Sequence, residues 1–143
     1  MKTKRPKLDL KNGRVELTYG GGGRAMSQLI DELFRPAFSN TLLDELADYA
    51  GFPGGKRMVM ATDGHVISPL FFPGGDIGCL SVHGTVNDVA MSGAKPLYLS
   101  ASFILEEGFP LGDLHRIVTS MAEAAKAAGV SIVTGDTKVV ERG

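Results

Sequence analysis

Three aspartates, Asp63, Asp88 and Asp136, carry the strongest chemical signal in this 143-residue sequence. Each stands beside a glycine or a small polar residue, in the sequences Thr-Asp-Gly, Asn-Asp and Gly-Asp-Thr. Carboxylates in such positions can converge on Mg²⁺, which prefers oxygen ligands and often binds substrate phosphates as further ligands. Lys138 adds a cation that can pair with phosphate. The joint pattern predicts a metal and phosphate site; the alternative is that each carboxylate only caps backbone N–H groups in a turn.

A run of four glycines, Gly20, Gly21, Gly22 and Gly23, is the second candidate. Without Cβ atoms the backbone can approach a ligand closely, and bare N–H groups form concavities that bind anions. The run is followed by neither Gly-Lys-Ser/Thr nor the glycine spacing of a dinucleotide fingerprint. It therefore predicts either a phosphate-binding loop or a flexible hinge.

The single cysteine, Cys79, precedes His83 by four residues, so the two can share one face of a helix. That geometry admits metal ligation, but no further cysteine or histidine is nearby, and structural roles are favoured. His65, His115 and the methionines are predicted to be surface or core residues. One cysteine cannot form an internal disulfide, which agrees with a reducing compartment, and we expect a cytoplasmic protein.

Strands and helices are needed to position these residues. Apolar periodicity predicts helices over 29–38, 41–50, 78–92 and 111–128, and strands over 15–19, 58–62, 65–68, 97–105 and 130–134. The strands over 97–105 and 130–134 are expected to be buried, and the latter delivers a loop over 135–138. Ser27 is the expected cap of the first helix and Pro36 limits its far end. Gly129 ends the last helix, which is the most clearly amphipathic segment.

Composition indicates one soluble globular domain, with 43% hydrophobic and 22% charged residues and no internal repeat. The 19 glycines are nearly twice ordinary usage. Residues 1–14 form a basic arm with six basic side chains and Asp9 alone as an acid. The remainder is acidic, which argues against a nucleic-acid surface. No stretch approaches the ~20 apolar residues of a membrane span, so neither nucleic acid nor membrane is an expected partner.

Three segments carry a family resemblance: ATDGHVISPLFFPGGDIG, VHGTVNDVAMSGAKPLYLSASFILEEG and VTGDTKVVERG. They resemble the N-terminal domain of the HypE family of hydrogenase maturation factors, within the aminoimidazole ribonucleotide synthetase-like superfamily, over roughly residues 15–143. The resemblance implies an α+β fold, a mixed β-sheet with helices packed on one face, that dimerises through its strands. Residues 15–143 would be the ATP-binding and dimerisation domain, with the family's second domain and cysteine-bearing tail absent from this chain.

The family activity is that of a carbamoyl dehydratase. A carbamoyl group on the C-terminal cysteine is activated by ATP at its oxygen and dehydrated to thiocyanate, which supplies cyanide for the iron of [NiFe]-hydrogenase. The resemblance implies this enzyme class for the full-length protein, with the 143-residue chain alone inactive. The alternatives are a non-catalytic dimerisation and partner-docking module, or another ATP-using superfamily member such as a small-molecule kinase.

Residue roles also follow from the resemblance. The cofactors would be ATP and Mg²⁺, with the metal held by Asp63, Asp88 and Asp136. Lys138 and Asp88 would be catalytic, and Cys79 would not be the acceptor thiol. The partners would be a second copy of the chain, a carbamoyl transferase and an iron-cyanide scaffold complex. The implied nucleotide-binding residues are Gly20, Gly21, Gly22, Gly23, Asp63, Asn87, Asp88, Gly135, Asp136 and Lys138.

Overall fold

The structure is a computed structural model that describes residues 6–47 and 49–143. Its elements are α1 (Arg24–Leu29), a π-helical segment (Ile30–Phe34), α2 (Arg35–Phe38), β1 (Phe71–Phe72), β2 (Gly75–Asp76), α3 (Ile77–Met91), β3 (Tyr98–Glu106), α4 (Leu111–Ala128) and β4 (Ser131–Val140), with single 3₁₀ turns at Leu17–Tyr19 and Leu43–Glu45. The predicted α+β class is confirmed. Strands of both directions occur, in two separate two-stranded sheets. Among the described helices, none is long and apolar enough to cross a membrane.

The β3–α4–β4 unit forms the centre of the fold. The two strands are parallel, paired from Tyr98 with Ser131 to Glu106 with Val140, and one irregularity follows Leu99. Helix α4 has the predicted bounds, and it ends at Gly129 in the left-handed conformation, with φ 68°. β3 confirms the predicted strand with a shift of one residue.

Strand β4 is longer than predicted, and residues 135–138 lie inside it rather than in a loop. The reason is the partner strand: β3 offers hydrogen-bonding positions as far as Glu106, so β4 continues alongside it to Val140. β3 is also less buried than predicted. Its residues alternate between covered and exposed, and Ile104 on the open face is 75% exposed.

The core lies between α4, the 24–38 helical segment and the inner face of the β3–β4 sheet. α3 and α4 pack closely at Gly78, where a Cβ would collide with the backbone oxygen of Ile117. α3 itself confirms the predicted helix, one residue earlier at each end. The largest fully buried side chains are Leu29, Leu33, Leu111, Leu114, Val15 and Val118.

Residues 6–14 of the basic arm lie on this core. The backbone N–H of Leu8 donates to Glu32 Oε2 at 2.7 Å, and the side chains of Leu8 and Leu10 pack against the core cluster. The basic residues Lys2, Lys4 and Arg5 lie outside the described residues.

The predicted strand over 15–19 is wrong. Val15 is buried and exchanges backbone hydrogen bonds with two neighbours, donating to Phe109 O and accepting from Gly108 N, both at 2.7 Å. The only bridge recorded in this part of the described chain joins Arg14 to Pro110. Beyond Val15 the chain turns through Leu17–Tyr19 into the glycine run, so no strand partner is reached.

The helix predicted over 41–50 is also wrong, since only the 3₁₀ turn Leu43–Glu45 forms among its described residues. Asn40 Oδ1 accepts the N–H groups of Leu42 and Leu43 at 3.1 Å each, which replaces the helical pattern locally. Leu46 then adopts a left-handed φ of 53°, which ends the turn.

The strands predicted over 58–62 and 65–68 do not form; these residues, all within the described part, have no strand partner. Several of their apolar side chains are exposed instead, with Met60 91% and Val66 98% exposed, whereas Ile67 is half-buried. Ser27 also differs from its prediction as a cap. It lies inside α1, where its hydroxyl donates to Gly23 O at 3.0 Å, and Gly23 is the N-cap.

Candidate functional site

The first group of predicted site residues lies on β4. Lys138 Nζ contacts both carboxylate oxygens of Asp136, at 2.6 and 2.8 Å, and the Thr137 N–H donates to the same carboxylate at 2.8 Å. These hydrogen bonds, from Lys138 first and Thr137 second, hold the pKa of Asp136 below its usual value. Both partners of the ion pair are more than half exposed, so little stabilisation is lost when a ligand separates them.

The glycine run lies beside the same strand. Gly20 packs so closely on the backbone of Val139 that a Cβ would not fit. Gly22 and Gly23 have φ angles of 72° and 80°, a conformation that glycine adopts without strain. The structure therefore brings the run next to the end of β4 that carries Asp136 and Lys138.

The second group lies around α3. Asp63 Oδ2 is 3.3 Å from His65 Nε2, and Asp63 Oδ1 accepts the Gly64 N–H at 2.8 Å. Both side chains lie against Gly84 of α3, where a Cβ would come within 2.7 Å of His65 Nε2. Asn87 and Asp88 follow Gly84 by about one helical turn and are exposed.

Two cavities adjoin these groups. The first has a volume of about 700 Å³ and lies between the 24–38 helical segment and β4, with Gly135 and Asp136 in its wall. The second, of about 620 Å³, is lined by Asp63 and His65 and by the adjacent face of α3. Ala101, Phe103 and Ile132 line both, so the cavities meet at the β3–β4 sheet.

The types of the candidate residues suit Mg²⁺, whereas their positions in the described chain do not bring three ligands together. Carboxylates are the ligands that Mg²⁺ prefers. Across residues 6–47 and 49–143, however, no three histidine, cysteine, aspartate or glutamate side chains are grouped so that they could hold a metal ion. Asp63 and Asp136 also each accept a backbone N–H, as the turn-capping alternative expects. Within its described part, a single chain thus has no preformed group of three such ligands for Mg²⁺.

Cys79 has a structural role. Its Sγ accepts from the Asp76 N–H at 3.3 Å and donates to Asp76 O at 3.2 Å. The carboxylate of Asp76 in turn accepts from the N–H groups of Gly78 and Cys79 and from Ser120 Oγ, at 2.7 to 3.1 Å. The cysteine therefore completes the N-terminal cap of α3.

Sequence reasoning missed three residues near these groups. His65 was predicted to be a surface or core residue, but it contacts Asp63. Asp31 lines the first cavity, and exposed Ser102 is the register partner of Asp136 across the sheet. The proximity of His65 to Asp63 in sequence was a usable signal, whereas the other two depend on packing and strand register alone.

Comparison with known proteins defines the class. Residues 46–143 match the model of the family described as AIR synthase related protein, N-terminal domain. The chain belongs to this family, and the helices and small sheets described above are its fold.

Individual proteins and solved structures are also similar to this chain over most of its length. The chain is similar to carbamoyl dehydratase HypE of Cupriavidus necator, with 70% identity over 138 residues, which cover 95% of this chain and 39% of that protein. It is also similar to the structure of hydrogenase maturation protein HypE in complex with ATP, with a TM-score of 0.88, 56% identity, and coverage of 90% of this chain and 38% of that one. A HypE–HypF complex matches at a TM-score of 0.58 and 56% identity, over 80% of this chain and 37% of the other. The chain spans about two fifths of the length of these proteins.

Proposed function

We propose that this chain is the nucleotide-binding domain of an ATP-dependent carbamoyl dehydratase that serves hydrogenase maturation. One observation carries the proposal: 90% of the chain superposes, at a TM-score of 0.88 and 56% identity, on a HypE structure that contains ATP. A relative with 70% identity, from Cupriavidus necator, is named for the same activity.

The described residues support specific roles. Lys138 would separate from Asp136 and neutralise charge on the triphosphate. Because both side chains of the pair are exposed, this exchange costs little free energy. The glycine run beside Val139 would close over the nucleotide and donate backbone N–H groups to it. Asp88 and Asn87 would approach the phosphates from α3, with Asp63 on the neighbouring segment.

Magnesium would arrive with the nucleotide. Asp63, Asp88 and Asp136 would be its protein ligands, and phosphate oxygens would supply the others, as is common for Mg²⁺. This order of binding is consistent with the lack of a preformed three-ligand group among the described residues.

The reaction we propose for the whole protein activates a poor leaving group. The carbamoyl oxygen of a thiocarbamate attacks the γ-phosphorus of ATP, and ADP leaves. The C–O bond then breaks with loss of two N–H protons, giving thiocyanate and inorganic phosphate. Lys138 contributes by stabilising charge on the transferring phosphoryl group, and the surrounding loops contribute by positioning it.

We also propose two kinds of protein partner. A second copy of the chain would cover the open edge of β3 and exposed apolar side chains such as Ile104 and Val66, which both line the second cavity. The other proposed partner is a HypF-like protein, the expected carbamoyl transferase. It is proposed because this chain is similar to part of a solved HypE–HypF complex. The iron-cyanide scaffold complex remains a proposed acceptor of the product.

Calorimetric titration of the chain with ATP and Mg²⁺ tests the nucleotide site. We expect Lys138→Ala and Asp88→Asn each to weaken binding by at least about tenfold, equivalent to ~1.4 kcal/mol. The matched controls are Lys126→Ala and Asp113→Asn on α4, whose side chains line neither cavity. Equal affinities for all four variants would remove Lys138 and Asp88 from the site.

A non-catalytic docking module and a small-molecule kinase remain distinguishable alternatives. Phosphate release from ATP that depends on a carbamoylated peptide supports the dehydratase. Phosphoryl transfer to a small molecule without thiocyanate formation supports the kinase. Normal dimerisation without any nucleotide binding supports the docking module.

A further inference from the structure

Residues 6–14, which we call the strap, connect two parts of the fold that are distant in sequence. The end of the strap is fixed to the start of α4: the Leu111 N–H donates to Gly13 O at 3.0 Å, and Arg14 and Pro110 form a bridge. The contact is close, because a Cβ on Gly13 would come within 2.8 Å of the Leu111 side chain. This end of the strap therefore cannot move without displacing α4.

The beginning of the strap is attached to the 24–38 helical segment by two side chains. Gln28 Nε2 donates to Pro6 O at 2.8 Å and to Glu32 Oε1 at 3.0 Å. The other oxygen, Glu32 Oε2, accepts the Leu8 N–H at 2.7 Å. A charged acceptor makes such hydrogen bonds stronger than those between neutral groups. Glu32 thus holds the strap with one oxygen and, with the other, orients the side chain that also holds it.

Glu32 also lies close to the residue that precedes the glycine run. Tyr19 packs against the core cluster and is followed by Gly20, which lies against Val139. Burial raises the pKa of the Tyr19 phenol above its usual value, and the negative charges of Glu16 and Glu32 raise it further. The Glu32 carboxylate is therefore at the point where the strap, the helical segment and the start of the glycine run meet.

The middle of the glycine run has little packing to hold it. A Cβ added at Gly21, Gly22 or Gly23 would meet no atom within 4 Å. Gly23 is the N-cap of α1 and has no side chain with which to cap it. Glycine also loses more conformational entropy than other residues when it is ordered. The arrangement of the run therefore depends on its two flanks, which are Gly20 against β4 and the helix held by the strap.

We propose that Glu32 is a positioning residue for the glycine run. With Gln28 it clamps the strap to the helical segment, and this clamp holds α1 and the run beside β4, where backbone N–H groups can receive phosphate. Glu32 itself lines neither cavity, so it acts without touching the ligand. Ordering a loop in advance lowers the entropy cost of binding, and the clamp raises phosphate affinity in this way. This inference rests on the proposed function and adds to it what holds the glycine run in place.

Hydrogen exchange followed by mass spectrometry tests the clamp directly. We expect Glu32→Ala to speed amide exchange in α1 by at least about tenfold, because the helix loses its attachment to the strap. Amide exchange in α3 should be unchanged, whereas loss of a residue with only a general structural role would speed exchange in both helices. Glu123→Ala, at an exposed glutamate of α4 that lines neither cavity, is the matched control and should change neither.

Calorimetric titration in the presence of Mg²⁺ tests the effect on binding, with ATP and inorganic tripolyphosphate as probes. We expect Glu32→Ala to weaken both probes by the same factor, at least about fivefold, because only the phosphate-binding loop is disturbed. Glu32→Gln should retain most of the affinity, since its amide oxygen can still accept the Leu8 N–H. Gln28→Ala removes the hydrogen bond to Pro6 and should change exchange and affinity in the same direction. It keeps the test available if Glu32→Ala does not fold.

The outcomes separate the clamp from the proposed function. If Lys138→Ala weakens ATP but Glu32→Ala and Gln28→Ala leave the affinity unchanged, the positioning role is overturned and the proposed function stands. Equal acceleration of exchange in α1 and α3 would also overturn it, because the loss would then be one of global stability. If the unmodified chain binds neither ATP nor tripolyphosphate, the proposed function fails and the positioning role fails with it.

Discussion

At the scale of single residues, the pKa values of several carboxylates are lowered by hydrogen bonds from nearby donors, and burial is not the main cause. The pKa values of Asp9, Asp44 and Asp136 are all held below the usual range by hydrogen bonds from backbone N–H groups or side chains. Each group therefore stays ionised well below neutral pH. In Asp136 this keeps a negative charge available for a cation or for Lys138.

Asp44 allows a test of this tuning through pH. Its pKa is lowered first by the Ser39 hydroxyl, at 2.8 Å, and then by Arg35, whose Nε is 3.0 Å away. Because the folded pKa is below the unfolded one, the stabilisation is present above the unfolded pKa of about 3.9 and is lost as pH falls through the folded value. We expect Asp44→Asn to lower Tm at pH 7 and to match the unmodified chain in strong acid. Ser39→Ala should reproduce part of the effect, and a Tm difference that is constant down to pH 2.5 would contradict the assignment.

Asp76 is the residue on which the position of α3 depends. Its carboxylate caps the helix and also accepts from Ser120 of α4 at 2.8 Å. We expect Asp76→Ala to lower the free energy of unfolding by about 1–2 kcal/mol, the usual cost of a lost N-cap. Asp113→Ala, in the first turn of a helix with no side-chain cap, is the control and should cost less in the same urea titration. Equal losses in the free energy of unfolding for the two variants would show that the side-chain cap of Asp76 adds no stability beyond that of another first-turn carboxylate.

At the scale of elements, close helix packing places the candidate residues of α3. Gly78 brings the start of that helix against the backbone of Ile117 in α4. At Gly84, six residues later in the same helix, the nearest atoms that a Cβ would meet are side-chain atoms of His65 and Asp63. The first contact is rigid, and the second can adjust by side-chain rotation.

These two glycines give a matched pair of substitutions. Gly78→Ala introduces a methyl group where backbone must move, and we expect a loss of roughly 1–3 kcal/mol in the free energy of unfolding. Gly84→Ala needs only a shift of His65, and the better helix propensity of alanine offsets part of that cost. Denaturant unfolding of both variants measures the difference, and a Gly84→Ala variant less stable than Gly78→Ala would contradict the packing described.

At the scale of the whole molecule, several large apolar side chains lie on the described surface. Ile104 on the open face of β3 is 75% exposed, and Met58, Met60 and Val66 are exposed to 62%, 91% and 98%. The free edge of β3 adds unpaired backbone groups to this surface. A second chain is the proposed cover, because identical subunits commonly pair through one self-complementary patch.

Sedimentation equilibrium tests this association. We expect a species of twice the 15.1 kDa chain mass. Ile104→Glu places a charge on the open face and should shift the equilibrium towards the single chain by at least about tenfold. Thr119→Glu, at an exposed position on α4, should not. A 15.1 kDa species alone at high concentration would rule out the pairing.

The sequence by itself determined the elements whose signals are local and strong. The apolar period of α4, its termination at Gly129 and the bounds of α3 to within one residue required no knowledge of distant residues. The three aspartate motifs and the family resemblance were also available from sequence, because they depend on residue identity and order. Even so, the roles of Asp63, Asp88 and Asp136 as ligands stay a prediction.

Only the tertiary structure decided which segments pair and which remain open. Residues 58–68 have the pattern of strands, but a strand needs a neighbour, and within the described residues β3 pairs with β4 alone. β4 in turn extends through residues 135–138 because β3 lies alongside. The position of the 24–38 segment along β4 depends on the contacts of Asn40 with Ile132 and of Gly20 with Val139, which are about 90 to 120 positions apart. No local pattern encodes such contacts, because they become favourable only when the intervening chain has folded.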